Sequence, residues 1–136
     1  MLRACRILIV EDDAESRDAL RAVLELIGHT VMEAADGWTA LEMAETQPDI
    51  VVLDIDLPRL DGFAVAEALT SPPGPHPFII GLSGYYAHKD DFARARAGGF
   101  DAYLMKPCDL NELLDLVERI STQPQECAAK GQTEKT

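Results

Sequence analysis

Arg6-Ile7-Leu8-Ile9-Val10-Glu11-Asp12-Asp13 is an unbroken apolar run that closes on three carboxylates. A run this short, bounded by turn-forming acids, reads as a β-strand rather than a helix. Three later stretches repeat the design. Ile50-Val51-Val52-Leu53-Asp54 closes on a carboxylate, and Phe78-Ile79-Ile80-Gly81-Leu82-Ser83 on a hydroxyl. Ala102-Tyr103-Leu104-Met105-Lys106-Pro107 closes on an ammonium followed by proline. In an open parallel sheet the strand carboxyl ends share one edge, so this pattern gathers Glu11, Asp12, Asp54, Ser83 and Lys106 there.

The segments between these runs carry helical periodicity. Ala19, Leu20, Val23, Leu24 and Ile27 recur at helical spacing after a first strand over 6–11, and Gly28 supplies a C-terminal cap. A second strand is expected over 30–34, then a helix over 38–46 reached through Asp36-Gly37 and broken by Gln47-Pro48-Asp49 before a third strand over 50–53. The loop over 54–62 leads to a helix over 63–70, and the proline-rich stretch over 71–77 is a loop. A fourth strand over 78–82 precedes a helix over 88–97 stopped by Gly98-Gly99, and a fifth strand is expected over 102–105. Asp109, with Glu112 three residues on, is a capping box for a last helix running to about residue 120. The chain then turns polar, so 1–121 is expected to be one domain and 122–136 a disordered tail.

Alternation of five strands with five helices predicts an α/β fold of the flavodoxin-like kind: a doubly wound five-stranded parallel sheet, the middle layer of a three-layer sandwich. The strand order 2-1-3-4-5 is the one such sheets commonly adopt rather than one the spacing dictates. It places Asp12 and Asp54 across a single crevice at the point where the order reverses.

Bulk properties narrow the function classes. The chain has 136 residues, enough for one core and no second domain, with a formal net charge of −12. That charge repels nucleic acid, so no nucleic-acid binding through this chain is expected. Cys5, Cys108 and Cys127 are odd in number and scattered, which argues against a disulfide framework or a zinc site and for reduced thiols. Cys108, close to Lys106, is a candidate oxidation point. His29, His76 and His88 show no ligand spacing and are expected at the surface or in loops. No run is long enough for a signal peptide or a membrane span, which predicts a cytoplasmic protein without membrane insertion.

Glu11, Asp12 and Asp54 crowded into one crevice must protonate or recruit a cation, and a hard oxygen-preferring ion such as Mg2+ suits them. A single acid at a strand end is ordinarily a helix cap, and Asp13 fits that plainer role. A carboxylate can also attack phosphorus to form an acyl phosphate, and Asp54 closes the rigid third strand. Lys106 offers a compact positive charge for a phosphoryl oxygen and Ser83 a hydroxyl donor; on its own, Lys106 reads equally well as a solvated surface lysine.

The chain resembles a response-regulator receiver domain of bacterial two-component signalling over about residues 4–121. The likeness rests on Ile7-Leu8-Ile9-Val10-Glu11-Asp12-Asp13, Val52-Leu53-Asp54-Ile55-Asp56-Leu57-Pro58, Asp61-Gly62, Leu82-Ser83-Gly84 and Lys106-Pro107 in the right order and spacing. The resemblance implies that Asp54 is the phosphoacceptor, charged by a histidine kinase or a histidine phosphotransfer protein. It implies Mg2+ (or Mn2+) held by Asp12, Asp54 and the Ile55 backbone carbonyl, with Glu11 acting through water. Ser83 and Lys106 would grip the phosphoryl group, and Tyr103 would be the switch aromatic that follows Ser83. Such a domain is not an enzyme with its own substrate but a switch acting on a downstream protein target.

Two positions depart from the ordinary pattern. Asp56 adds charge beside the incoming phosphate and Tyr85 adds a ring on the other side, which together could tune the lifetime of the aspartyl phosphate. Asp56 could equally just stabilise its loop. Opposite charges, His88, Lys89, Arg94 and Arg96 against Asp109, Glu112, Asp115 and Glu118, could pair two receivers as a homodimer. Asp54-Ile55-Asp56 also matches the paired aspartates of haloacid-dehalogenase-type hydrolases, but Leu57-Pro58 follow where a hydroxyl residue is expected, and there is little room for a cap domain. A receiver that binds without being phosphorylated is the other alternative, and the intact five-residue site argues against it.

Overall fold

The first strand of the computed structural model is β1 (Arg6–Val10), and the described residues are 4–55, 57, 62–71, 73, 76–83, 99–106 and 109–122. After β1 come α1 (Ala14–Leu26), β2 (Thr30–Ala34), α2 (Gly37–Met43) with a 3-10 turn (Ala44–Thr46), and β3 (Ile50–Asp54). The order continues with α3 (Gly62–Thr70), β4 (Phe78–Ser83), β5 (Ala102–Met105) and α4 (Leu110–Thr122). The five strands form one sheet in the order β2-β1-β3-β4-β5, and every adjacent pair is parallel. The expected helix over 88–97 lies outside the described residues, as does the expected tail over 122–136 apart from Thr122, which is the last residue of α4.

Each central strand alternates its side chains between two cores. Leu8, Val10, Val51, Leu53 and Ile79 face one core, which Ala40 of α2 and Val65, Ala66 and Leu69 of α3 complete. Ile7, Ile9, Ile50, Val52, Ile80 and Leu82 face the other, closed by Leu20 and Leu24 of α1 and by Leu113, Val117 and Ile120 of α4. Burial on both faces explains the near-continuous apolar runs of β1 and β3. Glu11 and Asp54 extend the columns 7–9 and 50–52 by one more step of two, so the same pleat that fills the second core delivers both carboxylates to its rim.

Helix ends follow their sequence signals. Asp13 caps α1 by accepting the Ser16 N–H at 3.0 Å, Asp36 caps α2 through the Thr39 N–H at 2.7 Å, and Asp109 accepts the Asn111 N–H at 2.9 Å at the start of α4. Gly28 (φ 103°) ends α1 in a Schellman turn, with its N–H on the Glu25 carbonyl and the His29 N–H on the Leu24 carbonyl. The second helix starts one residue earlier than expected and tightens into the 3-10 turn before Gln47, whose left-handed backbone (φ 57°) turns the chain into β3.

The opposite edge of the sheet is held by three side chains, each on the residue just before a strand. His29 Nδ1 accepts the Cys5 N–H at 3.0 Å, Asp49 accepts the Arg6 N–H at 2.9 Å and Asp101 accepts the Ile79 N–H at 2.9 Å. His29 lies in the loop between α1 and β2, as one of the two expectations had it, but it is not at the surface, being only 5% exposed; the Schellman turn drives the chain straight from α1 into β2, and the ring lands beside Cys5. His76 lies in the loop before β4, as expected, and His88 falls outside the described residues. Cys5 is a buried thiol, in no disulfide among the described residues, with its Sγ 3.5 Å from the Ser121 hydroxyl.

Because Nδ1 is an acceptor, the proton of the neutral ring sits on Nε2, which is buried with no hydrogen-bond partner among the described residues. Burial pushes the His29 imidazole below its ordinary value. A depressed histidine binds its proton later in the folded than in the unfolded chain. Its contribution to stability is therefore complete above about pH 6.5 and is lost as pH falls from there toward the folded value. The loss has a slope of at most about 1.4 kcal/mol per pH unit. His29→Asn keeps an acceptor for Cys5 without a titrating group. Denaturant unfolding at pH 7.5, 6.5 and 5.5 should show wild type losing more stability than the variant, and parallel profiles would refute this account.

Candidate phosphoacceptor site

Glu11, Asp12 and Asp54 meet at the carboxyl edge, each offering one oxygen within 4.8 Å of the others. The β1–β3 pairing, with Val10 opposite Leu53, brings the two acidic strand ends together. Asp54 and Glu11 are each only 2% exposed, whereas Asp12 is exposed. Lys106, arriving from the end of β5, places its Nζ 2.8 Å from Asp54 Oδ2 and 3.0 Å from Glu11 Oε2. Its backbone is fixed as well, because the Lys106 N–H donates to the Ser83 carbonyl at 2.7 Å.

The charges at this rim are unevenly balanced. Burial is the main influence on Glu11 and raises its carboxyl above the ordinary range, although hydrogen bonds from the Asp13 N–H and Lys106 oppose the rise. Burial alone would lower Lys106, but its hydrogen bonds to Asp54 and Glu11 outweigh that and hold the ammonium above its ordinary value. One ammonium thus serves two buried carboxylates, with a third carboxylate beside them. That donor set of hard oxygens fits a divalent cation such as Mg2+, which binds through one or two carboxylates and keeps several waters.

The loop after β3 is locked by its backbone. The Ile55 N–H donates to the Leu82 carbonyl at 2.8 Å, and the Ile55 carbonyl accepts the Gly62 N–H at 3.1 Å. One lone pair of the Ile55 carbonyl is therefore already engaged. Ser83 is buried at the end of β4, and its parity with Ile79 and Gly81 sets it on the same sheet face as Tyr103, which pairs with Gly81. Tyr103 is half-buried against the core formed with α2 and α3. Asp56 and Tyr85, together with the basic stretch over 88–96, lie outside the described residues; Asp109, Glu112, Asp115 and Glu118 are exposed.

The description "response regulator receiver domain" belongs to the family whose pattern matches residues 7–118. The chain belongs to that family. Receivers of this kind are the response-regulator half of two-component signalling, and the resemblance read from the motifs is thereby settled. Response regulator MprA of Mycobacterium ulcerans is 42% identical over 113 residues, covering 80% of this receiver and 47% of that protein. Response regulator MprA of Mycobacterium leprae is 39% identical over 129 residues, covering 90% and 54%. The receiver thus spans about half the length of the curated relatives it matches.

Solved structures agree on the fold. The signal receiver domain of the DNA binding response regulator protein merR from Colwellia psychrerythraea superposes with a TM-score of 0.81 at 28% identity, covering 87% of this receiver and 98% of that chain. The signal receiver domain of a signal transduction histidine kinase from Syntrophus aciditrophicus gives 0.77 at 27% identity, covering 90% and 93%. No helix among the described residues is long and apolar enough to cross a membrane.

Two contributors to the site were missed in the sequence. Arg17, one turn into α1, donates from Nη1 to the Glu11 carbonyl at 2.8 Å and from Nε to Glu33 Oε1 at 3.1 Å. The only signals for them were a cation four residues after the cap Asp13 and a charged residue in the middle of a strand. Neither pattern distinguishes such a contact from a solvated surface pair.

Proposed function

We propose that this receiver is a phosphorylation-controlled switch in which Asp54 accepts a phosphoryl group from the phosphohistidine of a histidine kinase or a phosphotransfer protein. What supports this reading above all is Lys106 Nζ held 2.8 Å from Asp54 and 3.0 Å from Glu11, a fixed cation where phosphoryl oxygens would arrive. An Asp54 carboxylate oxygen attacks phosphorus, the new O–P bond forms, and the P–N bond breaks with its electron pair returning to the donor imidazole. Glu11, Asp12 and Asp54 would hold Mg2+ or Mn2+, which supplies charge neutralisation for the phosphoryl oxygens. Lys106 then leaves its contact with the carboxylate for a phosphoryl oxygen, and the Ser83 hydroxyl donates to another. Tyr103, on the same sheet face as Ser83, carries the change to a protein-binding surface. Asp56 and Tyr85 tune the phosphate lifetime.

On this reading the protein is a phosphoacceptor with its own autophosphorylation and autodephosphorylation chemistry at Asp54, not an enzyme that turns over an outside substrate. Intact mass after incubation with acetyl phosphate tests it. With Mg2+ one phosphoryl group (~80 Da) should be gained, and with EDTA none. Borohydride reduction of the product should convert Asp54, and no other acid, to homoserine. No gain at saturating Mg2+, or reduction at a different residue, would overturn the proposal.

A further inference from the structure

We propose that Arg17 is a positioning residue for the acidic turn, aiming Asp12 and Glu11 at the cation through a hydrogen bond to the backbone. The inference rests on the phosphoacceptor reading and names a part that reading does not contain. Glu11 is held from two sides: its N–H donates to the Ala34 carbonyl at 3.1 Å, and its carbonyl accepts Arg17 Nη1 at 2.8 Å. That carbonyl belongs to the peptide plane that carries Asp12. Fixing it constrains the direction in which the exposed Asp12 leaves the strand.

The guanidinium is itself clamped. Its Nε reaches Glu33 Oε1 at 3.1 Å, while the other Glu33 oxygen accepts Arg21 Nη1 at 2.6 Å. Arg17 and Glu33 are 19% and 23% exposed, against 47% for Arg21, so the inner pair is the sheltered one. A planar fork can serve the Glu11 carbonyl and the Glu33 carboxylate together, and the single ammonium of a lysine cannot hold the same geometry. The arrangement ties α1 and β2 to the turn that presents the metal-binding oxygens. Groups that orient metal ligands commonly change affinity by tenfold or more when removed.

Charge and position predict opposite signs here, which makes the proposal sharp. Removing a cation bound to the backbone of the acidic turn would by charge alone tighten binding of a divalent ion there. Removing a positioning contact weakens it. The test is direct titration of Mn2+ by the electron paramagnetic resonance signal of the free aquo ion, on wild type, Arg17→Ala, Arg17→Lys and Glu33→Ala. Arg17→Ala and Arg17→Lys should each bind about tenfold more weakly, and Glu33→Ala about threefold. Binding as tight as wild type or tighter in Arg17→Ala, or wild-type affinity in Arg17→Lys, overturns the proposal while leaving the phosphoacceptor reading standing. If circular dichroism shows Arg17→Ala to be unfolded, unchanged affinity in Glu33→Ala overturns it instead. A wild-type chain that binds no Mn2+ removes the reading underneath, and the proposal with it.

Discussion

Asp54→Ala should take the phosphoryl gain from one group per chain to none, under conditions where wild type reacts to completion with acetyl phosphate and Mg2+. The loss should be complete because, among the described residues, no neighbouring acid is placed as Asp54 is. Glu11 is as buried as Asp54, but one of its oxygens accepts the Asp13 N–H at 3.0 Å and the other pairs with Lys106 at 3.0 Å. Asp12 is exposed and, among the described residues, has no lysine contact like the one Asp54 makes with Lys106. The variant should remain folded, because Lys106 keeps Glu11 as a partner and the loss of one of three clustered carboxylates relieves like-charge crowding. Circular dichroism should therefore match wild type while the mass gain disappears. A persistent gain of one phosphoryl group in Asp54→Ala would show that Asp12 or another acid is the acceptor.

Legibility in the sequence followed how local each determinant is. The strands β1, β3 and β4 were readable because they are buried on both faces, which forces continuous apolar runs, and the caps at Asp13, Asp36 and Asp109 announced their helices. Glu11, Asp12, Asp54, Ser83 and Lys106 were readable because topology alone brings strand ends to one edge. What escaped was contact across the fold. His29 looks like a turn residue until the Schellman geometry places it against Cys5, and Arg17 looks like a surface cation until the Glu11 carbonyl is seen within reach. The strand order itself came by analogy, since right-handed crossovers allow more than one way to wind five strands.

Gly62 shows the same limit, and it yields the second large effect. The sequence marks it as the end of Asp61-Gly62, but the backbone is not in a left-handed conformation there; the reason for glycine is space. A Cβ at Gly62 would lie 2.6 Å from Ile55 Cα, 2.7 Å from the Asp54 carbonyl oxygen and 3.2 Å from Ile55 C, all of them backbone atoms. No side chain can turn aside to admit a methyl, so either α3 withdraws or the chain at Asp54 moves. Withdrawal strains the Gly62 N–H bond to the Ile55 carbonyl and the packing of Val65, Ala66 and Leu69. Movement of Asp54 disturbs the 2.8 Å contact with Lys106. Gly62→Ala should therefore cost about 1–3 kcal/mol as an overpacked site. It should also slow phosphorylation by roughly 100-fold, the usual penalty for displacing a reacting group by about an ångström. Gly28→Ala is the matching control. Its Cβ meets nothing within 4 Å, but its φ of 103° strains any side chain, at a cost of about 1–2 kcal/mol. Two alanines of similar cost to stability should thus differ widely in phosphorylation rate by stopped reaction with acetyl phosphate, Gly28→Ala near wild type and Gly62→Ala far below it. Equal rates in the two variants would mean that the glycine serves only the fold and that Asp54 tolerates displacement.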